Sequence, residues 1–195
     1  MQLNDQYWSN RYNNQTDTWN AGKITPPLKA YCDQLTNKEI SILVPGCGNS
    51  YEAAYLLQNG FSNITLIDIS TTLCKKLQVE LAAYLSKGLQ IICGDFFELQ
   101  GQYDLIIEQT FFCAIDPSLR KNYAVKMQQL LKPGCKLTGL LFNRNFESGP
   151  PFGGSENEYR QLFQEYFTIE IMEECYNSIA PRRGAELFVK LMKNN

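Results

Sequence analysis

The stretch from Ile40 to Asp68 limits what this chain can fold into more than any other. Ile40-Ser41-Ile42-Leu43-Val44-Pro45 is a short apolar run rich in β-branched residues, the pattern of a buried parallel strand. It breaks at Gly46-Cys47-Gly48, after which Tyr51 to Asn59 reads as a helix. A second apolar run, Ile64-Thr65-Leu66-Ile67, delivers Asp68 to a strand end. Strand, glycine turn, helix, strand and acid make up a nucleoside-binding α/β unit. The glycines let backbone approach a ligand closely, and a carboxylate at the second strand's end accepts both ribose hydroxyls.

Two ligands suit that unit, a dinucleotide and S-adenosylmethionine (SAM), and the same glycines also suit an ordinary strand-to-helix turn. In the dinucleotide fingerprint the third glycine position is small, so that the helix packs tightly and points its amino end at the pyrophosphate. Here that position is Tyr51, and no basic side chain lies between Gly46 and Ala54. A nucleoside without phosphate is the better match, which places SAM ahead of a nicotinamide cofactor.

Composition excludes several classes. A chain of 195 residues fits one domain with a substantial core, and 44% hydrophobic with 19% charged residues is ordinary for a globular protein. A net charge of −2 and a pI near 5.3 leave no electrostatic footprint for nucleic acid. The seven cysteines are odd in number, dispersed and never spaced C-x-x-C, so neither a disulfide framework nor a metal site is expected. With no signal-like amino terminus and no long apolar run, a cytoplasmic protein without membrane contact is expected. There is no histidine, which removes Ser-His and Cys-His mechanisms outright.

Residues 1–37 precede the first strand and carry both tryptophans. Trp8 and Tyr12 lie four apart, one face of a helix, and Trp19 follows before the Pro26-Pro27 break. They read as an aromatic cover over the core or as a lid on a cationic ligand, since aromatic faces attract a sulfonium as they do an ammonium. Beyond Asp68, the spacing of Leu73, Leu77, Leu81 and Leu85 predicts one helix from Thr71 to Leu85. Leu89 to Cys93 reads as a third strand, followed by Asp95 and Phe96, which suit a purine as well as they suit a simple turn. Tyr103 to Glu108 reads as a fourth strand, ending at Gln109. Ser118 is the expected cap of a helix to Leu131, and Lys136 to Phe142 a fifth strand. A helix over Glu156–Tyr166 and strands Phe167–Cys175 and Glu186–Met192, paired as a hairpin-like edge, complete a doubly wound, three-layer sheet.

Seven ordered blocks resemble the thiopurine S-methyltransferase superfamily of class I SAM-dependent methyltransferases, nearest its thiol, thiocyanate and halide methyltransferases. They are Trp8 to Gly22, Leu43 to Gly48, Asp68-Ile69-Ser70, Asp104-Leu105-Ile106 with Phe111 to Ile115, Leu130 to Gly134, Gly149-Pro150-Pro151-Phe152 and Pro181-Arg182-Arg183-Gly184. The resemblance implies a Rossmann-like α/β fold, a mostly parallel seven-stranded sheet with an antiparallel last strand. It implies that Trp8, Tyr12 and Trp19 close over SAM, that Gly46 and Gly48 approach its amino-acid moiety, and that Asp68 with Ile69 meets the ribose. Asp95 and Phe96 would meet the adenine and Gln109 the sulfonium side, with S-adenosylhomocysteine (SAH) as product. Tyr12 and Gln109 depart from the relatives, which carry tryptophan and commonly an aromatic there. The proline pair of Gly149 to Phe152 reads as a rim loop.

Methyl transfer from a sulfonium consumes positive charge, so a site that excludes water favours it when the nucleophile is an anion. Positioning alone can supply roughly 7–11 kcal/mol, leaving little for acid-base chemistry. The expected acceptor is a small soft nucleophile: thiolate, thiocyanate, halide or a thiopurine-like thiol. Arg182 is the candidate to orient it and Glu108 the second candidate catalytic group. The other readings are a SAM-binding module without turnover and a methyltransferase of another small molecule. A monomer is expected.

Overall fold

The computed structural model describes residues 2–194. One seven-stranded sheet runs through it in the order β3-β2-β1-β4-β5-β7-β6. The strands are β1 (Ile42–Pro45), β2 (Ile64–Asp68), β3 (Leu89–Cys93), β4 (Tyr103–Gln109), β5 (Leu131–Phe142), β6 (Phe167–Glu174) and β7 (Glu186–Lys193). β1 to β5 pair in parallel, and β7 runs antiparallel to both neighbours. The helices are α1 (Asp5–Asn13), α2 (Pro26–Cys32), α3 (Tyr51–Gln58), α4 (Thr71–Glu80), α5 (Ala82–Leu85), α6 (Arg120–Leu130) and α7 (Glu156–Phe163).

Alternation along the central strands sorts side chains between two cores. Leu43 and Ile106 face one way, onto Tyr123 and Met127 of α6 and Tyr159 and Phe163 of α7. Ile42, Val44, Leu105 and Ile107 face the other way, onto Leu28 of α2, Leu56 of α3 and Leu73 of α4. This is the expected three-layer, mostly parallel α/β fold.

Local expectations fail at two places. The Thr71–Leu85 helix is broken at Leu81, whose φ of −106° and ψ of 17° leave the helical well. The apolar row of Leu73 and Leu77 stays on the sheet, but Leu85 is turned out and 42% exposed. Ahead of α6, Asp116 caps a 3₁₀ turn over Pro117–Leu119, its carboxylate accepting the Ser118 amide at 2.9 Å and hydroxyl at 2.7 Å, so Ser118 lies inside that turn and does not cap α6. The last two strands pair antiparallel at one end of the sheet, as expected, with β7 lying between β5 and β6 and β6 at the edge. Pairing with β5 over seven positions and with β6 on the other edge leaves β7 no free edge.

Candidate active site

The carboxyl ends of the five parallel strands open onto a cavity of about 570 Å³, within the range of small-molecule sites. It straddles the gap between β1 and β4, where the chain crosses from one half of the sheet to the other.

Gly46 and Gly48 line its floor in left-handed backbone, φ +53° and +50°. A Cβ at Gly46 would fall 2.2 Å from Phe111, so that glycine makes room for a side chain of the protein itself. Gly48 meets only the Tyr12 hydroxyl, at 3.7 Å, and of the two it is the open one. Asp68 is 8% exposed and lines the cavity. Its Oδ2 accepts the Gly48 amide at 3.2 Å and its Oδ1 the Ser70 amide at 2.9 Å. Burial raises this carboxyl above the ordinary aspartate range, and those amide bonds work against the shift. Ile69 follows on the same wall. Beyond β3, Asp95 is exposed and accepts the Phe97 amide at 2.8 Å, capping the 3₁₀ turn Phe96–Glu98 while also lining the cavity. Phe96 is buried against Phe111, ring centroids 5.0 Å apart.

The amino-terminal segment lies across the opening. Trp8 and Tyr12 of α1 and Trp19 all reach the cavity, with Trp19 edge-on to Trp8 at 5.5 Å and to Tyr12 at 5.8 Å. The segment is anchored at both ends. Asp5 accepts the Thr71 amide at 2.8 Å, and Ser9 Oγ meets Ser70 Oγ at 2.9 Å. Tyr51 donates to Asn20 Oδ1 at 3.0 Å, and the Asn49 amide group donates to Asp17 at 3.3 Å. Burial and nearby Asp68 push the Tyr12 phenol far above its ordinary value, so it stays neutral.

At the end of β4, Gln109 lines the cavity and accepts the Thr25 hydroxyl at 2.8 Å. Arg182 is not a surface arginine. It is 8% exposed, reaches the cavity, donates to the Trp19 carbonyl at 2.6 Å and pairs with Glu186 at 3.3 Å. Arg183 beside it is exposed. The rim carries Phe142, Arg144, Phe146 and the Pro150-Pro151 pair, with the Arg144 guanidinium 4.9 Å from the Phe146 ring centre.

Glu108 corrects the sequence reading. It is fully buried and absent from the cavity wall. Its Oε1 accepts the Phe111 and Phe112 amides at 2.8 and 3.0 Å, and its Oε2 the Tyr123 hydroxyl at 2.5 Å. The carboxyl folds the Phe111-Phe112 turn and has no route to a substrate. Sequence reasoning missed Ser50, Tyr51 and Glu52, all on the cavity wall at the start of α3. The available signal was Glu52 standing four residues before Leu56, an acid on the helix's apolar face.

The residues present fit SAM. Aromatic walls suit a sulfonium, Asp68 suits a ribose, no basic side chain in the Gly46–Ala54 turn calls for a phosphate, and an unpartnered hydroxyl remains at Ser50. Fold and cavity together define a class I SAM-dependent methyltransferase. Solved structures agree on the fold: a 1,6-didemethyltoxoflavin N1-methyltransferase of Burkholderia thailandensis holding SAH superposes with a TM-score of 0.78 at 18% identity, over 98% of this chain and 87% of that one. The Synechocystis magnesium protoporphyrin IX methyltransferase, also with SAH, gives 0.73 at 13% identity over 97% and 98%. The chain belongs to the thiopurine S-methyltransferase (TPMT) family, whose model matches residues 3–195. Similar relatives include a probable thiol methyltransferase 2 of Arabidopsis thaliana, 29% identical over 96% of this chain and 85% of that protein. The thiocyanate methyltransferase 1 of Brassica oleracea is 27% identical over the same shares, and the thiopurine S-methyltransferase of Pseudomonas fluorescens 25% identical over 88% and 87%.

Proposed function

We propose that this enzyme methylates a small, soft, anionic nucleophile such as a thiolate, thiocyanate, a halide or a thiopurine-like thiol. The observation that carries the reading is the acceptor wall: Phe142, Phe146 and the proline pair are apolar and Arg144 and Arg182 line the cavity with them, while the Asp116 carboxylate on the same cavity is taken by Ser118. Bound SAM supplies an electrophilic methyl group on a sulfonium. The chain's own residues hold the reactants and exclude water. Trp8, Tyr12 and Trp19 face the sulfonium, Asp68 with Ile69 takes the ribose hydroxyls, and Asp95 and Phe96 take the adenine, with Gln109 beside the donor sulfur. Residues 1–37 act as a lid on the single domain.

We assign no residue of the wall as a general base. The chain has no histidine, and burial pushes the Cys47 and Cys113 thiols up and out of range. An acceptor that arrives as an anion needs none. Arg182 is committed to Trp19 and Glu186, so it contributes field and lid anchorage. Arg144, exposed and without an ion pair among the described residues, is the freer group to meet the acceptor. Names of the relatives support the same acceptor class.

Seven cysteines without a disulfide support a reducing, cytoplasmic setting, and no helix among the described residues is long and apolar enough to cross a membrane. The working state is a monomer with a small-molecule acceptor. Incubation with SAM and iodide, thiocyanate, hydrosulfide or an aryl thiol is expected to release SAH and methylated product with at least one of them. SAH release only with amine or oxygen acceptors would overturn the reading.

A further inference from the structure

Two polar groups at the start of α3 have no hydrogen-bond partner in any other described residue. Ser50, the residue before the helix, is 2% exposed, makes no cap, and its Oγ has no hydrogen-bond partner. Glu52 is 6% exposed and accepts no hydrogen bond from any other described residue. Both line the cavity. Burial pushes the Glu52 carboxyl up to about 7, and the charged side chain that opposes the shift is Arg182. The other titratable groups near it are the Cys32 and Cys47 thiols, on α2 and in the glycine turn, both raised by burial and neutral. Nothing in the fold uses this carboxylate. A buried acid that no structural partner explains, on a ligand cavity, is placed for a cation carried by the ligand.

We propose that Ser50 and Glu52 form the subsite for the amino-acid end of SAM, with the Glu52 carboxylate holding its α-ammonium. The proposal rests on SAM occupying this cavity. Of the two cationic centres that SAM carries, the sulfonium has no proton to donate and suits the aromatic lid. The ammonium has three donors and needs acceptors. Asp68 is the other buried acid on the wall; the Gly48 and Ser70 amides fix its carboxylate at the end of β2, where the proposed function sets the ribose. Glu52 is the acid left free. Its pairing also links binding to pH: the carboxyl must ionise to hold the ammonium, so binding releases a proton where free Glu52 is protonated.

Calorimetry with SAH and with 5′-methylthioadenosine, which keeps the nucleoside and lacks the amino acid, tests this without turnover. Glu52→Gln is expected to weaken SAH binding at least tenfold and methylthioadenosine binding less than twofold. Ser50→Ala is expected to weaken SAH two- to fivefold. Wild-type SAH affinity should rise about tenfold from pH 6 to pH 8, with proton release at pH 6, while methylthioadenosine affinity stays flat. Equal loss for both ligands, or a flat SAH profile in the wild type, overturns the proposal. If Glu52→Gln does not fold, the wild-type profile and proton count decide alone. If neither ligand binds the wild type, the SAM reading of the cavity falls, and the proposal with it.

Discussion

Glu52 and Glu108 invite comparison. Both are buried glutamates near the carboxyl edge of the sheet, and burial pushes both up to about 7. Glu108 accepts two backbone amides and a tyrosine hydroxyl. Glu52 accepts nothing from another described residue and stands on the cavity wall. The same perturbation therefore marks a structural acid at one position and a vacant binding group at the other. Burial and a displaced pKa do not by themselves locate function. What separates the two is whether the surrounding donors are already spent.

The largest expected effect separates them by stability. Glu108→Ala strands the Phe111 and Phe112 amides and the Tyr123 hydroxyl in the core, and should cost about 3–5 kcal/mol in urea unfolding at pH 5. A loss below about 1 kcal/mol would show that the turn holds itself together. Glu52→Gln should act the other way. A carboxyl held at about 7 in the fold, against 4.5 ordinarily, contributes stability that is complete below pH 4.5 and lost as pH rises through 7. Each glutamate thus removes roughly 3 kcal/mol between those limits. Replacing Glu52 should raise stability at pH 8 by about 2–3 kcal/mol, and saturating SAH should protect the wild type at pH 8 more than it protects the variant. An unchanged pH slope in Glu52→Gln would place the titration elsewhere.

Arg182 joins the two sides of the cavity. Arg182→Lys cannot reach the Trp19 carbonyl and Glu186 in the same planar geometry, and should cost about 1–2 kcal/mol. Faster proteolysis within residues 5–25 would locate the loss in the lid; cleavage at the wild-type rate would mean that Asp5, Ser9 and Tyr51 hold it unaided.

The strands up to β5 were legible because β-branched runs broken by Gly46, Gly94 and Gly101 leave few alternatives. Asp68 was legible for the same reason, since a strand end fixes where its side chain emerges. The insertion of β7 between β5 and β6 was not, because pairing partners distant in sequence leave no local mark. Glu108 was singled out because it ends a strand, but its side chain points to Tyr123 and away from the cavity. Glu52 was overlooked because an acid in a first helical turn is what the helix dipole favours on a surface. Arg182 was singled out as a group to orient the acceptor, and its tertiary contact with the Trp19 carbonyl, which fixes it beneath the lid, leaves no mark in the local sequence.

The smallest expected effect uses the lid to sharpen the distinction between the two cationic centres of SAM. Trp8 packs edge-on against both Tyr7 and Trp19, at 5.0 and 5.5 Å, and its indole lines the cavity. Trp8→Leu removes apolar contact for any ligand, so SAM and SAH should both weaken. The aromatic face is lost only to the sulfonium, which SAM has and SAH lacks, so SAM should weaken by about 1 kcal/mol more, roughly fivefold in the ratio of the two affinities. Glu52→Gln should leave that ratio unchanged, because both ligands carry the ammonium. A ratio that moves with Glu52 and holds with Trp8 would exchange the two assignments and place the sulfonium, with its reacting methyl group, against the first turn of α3.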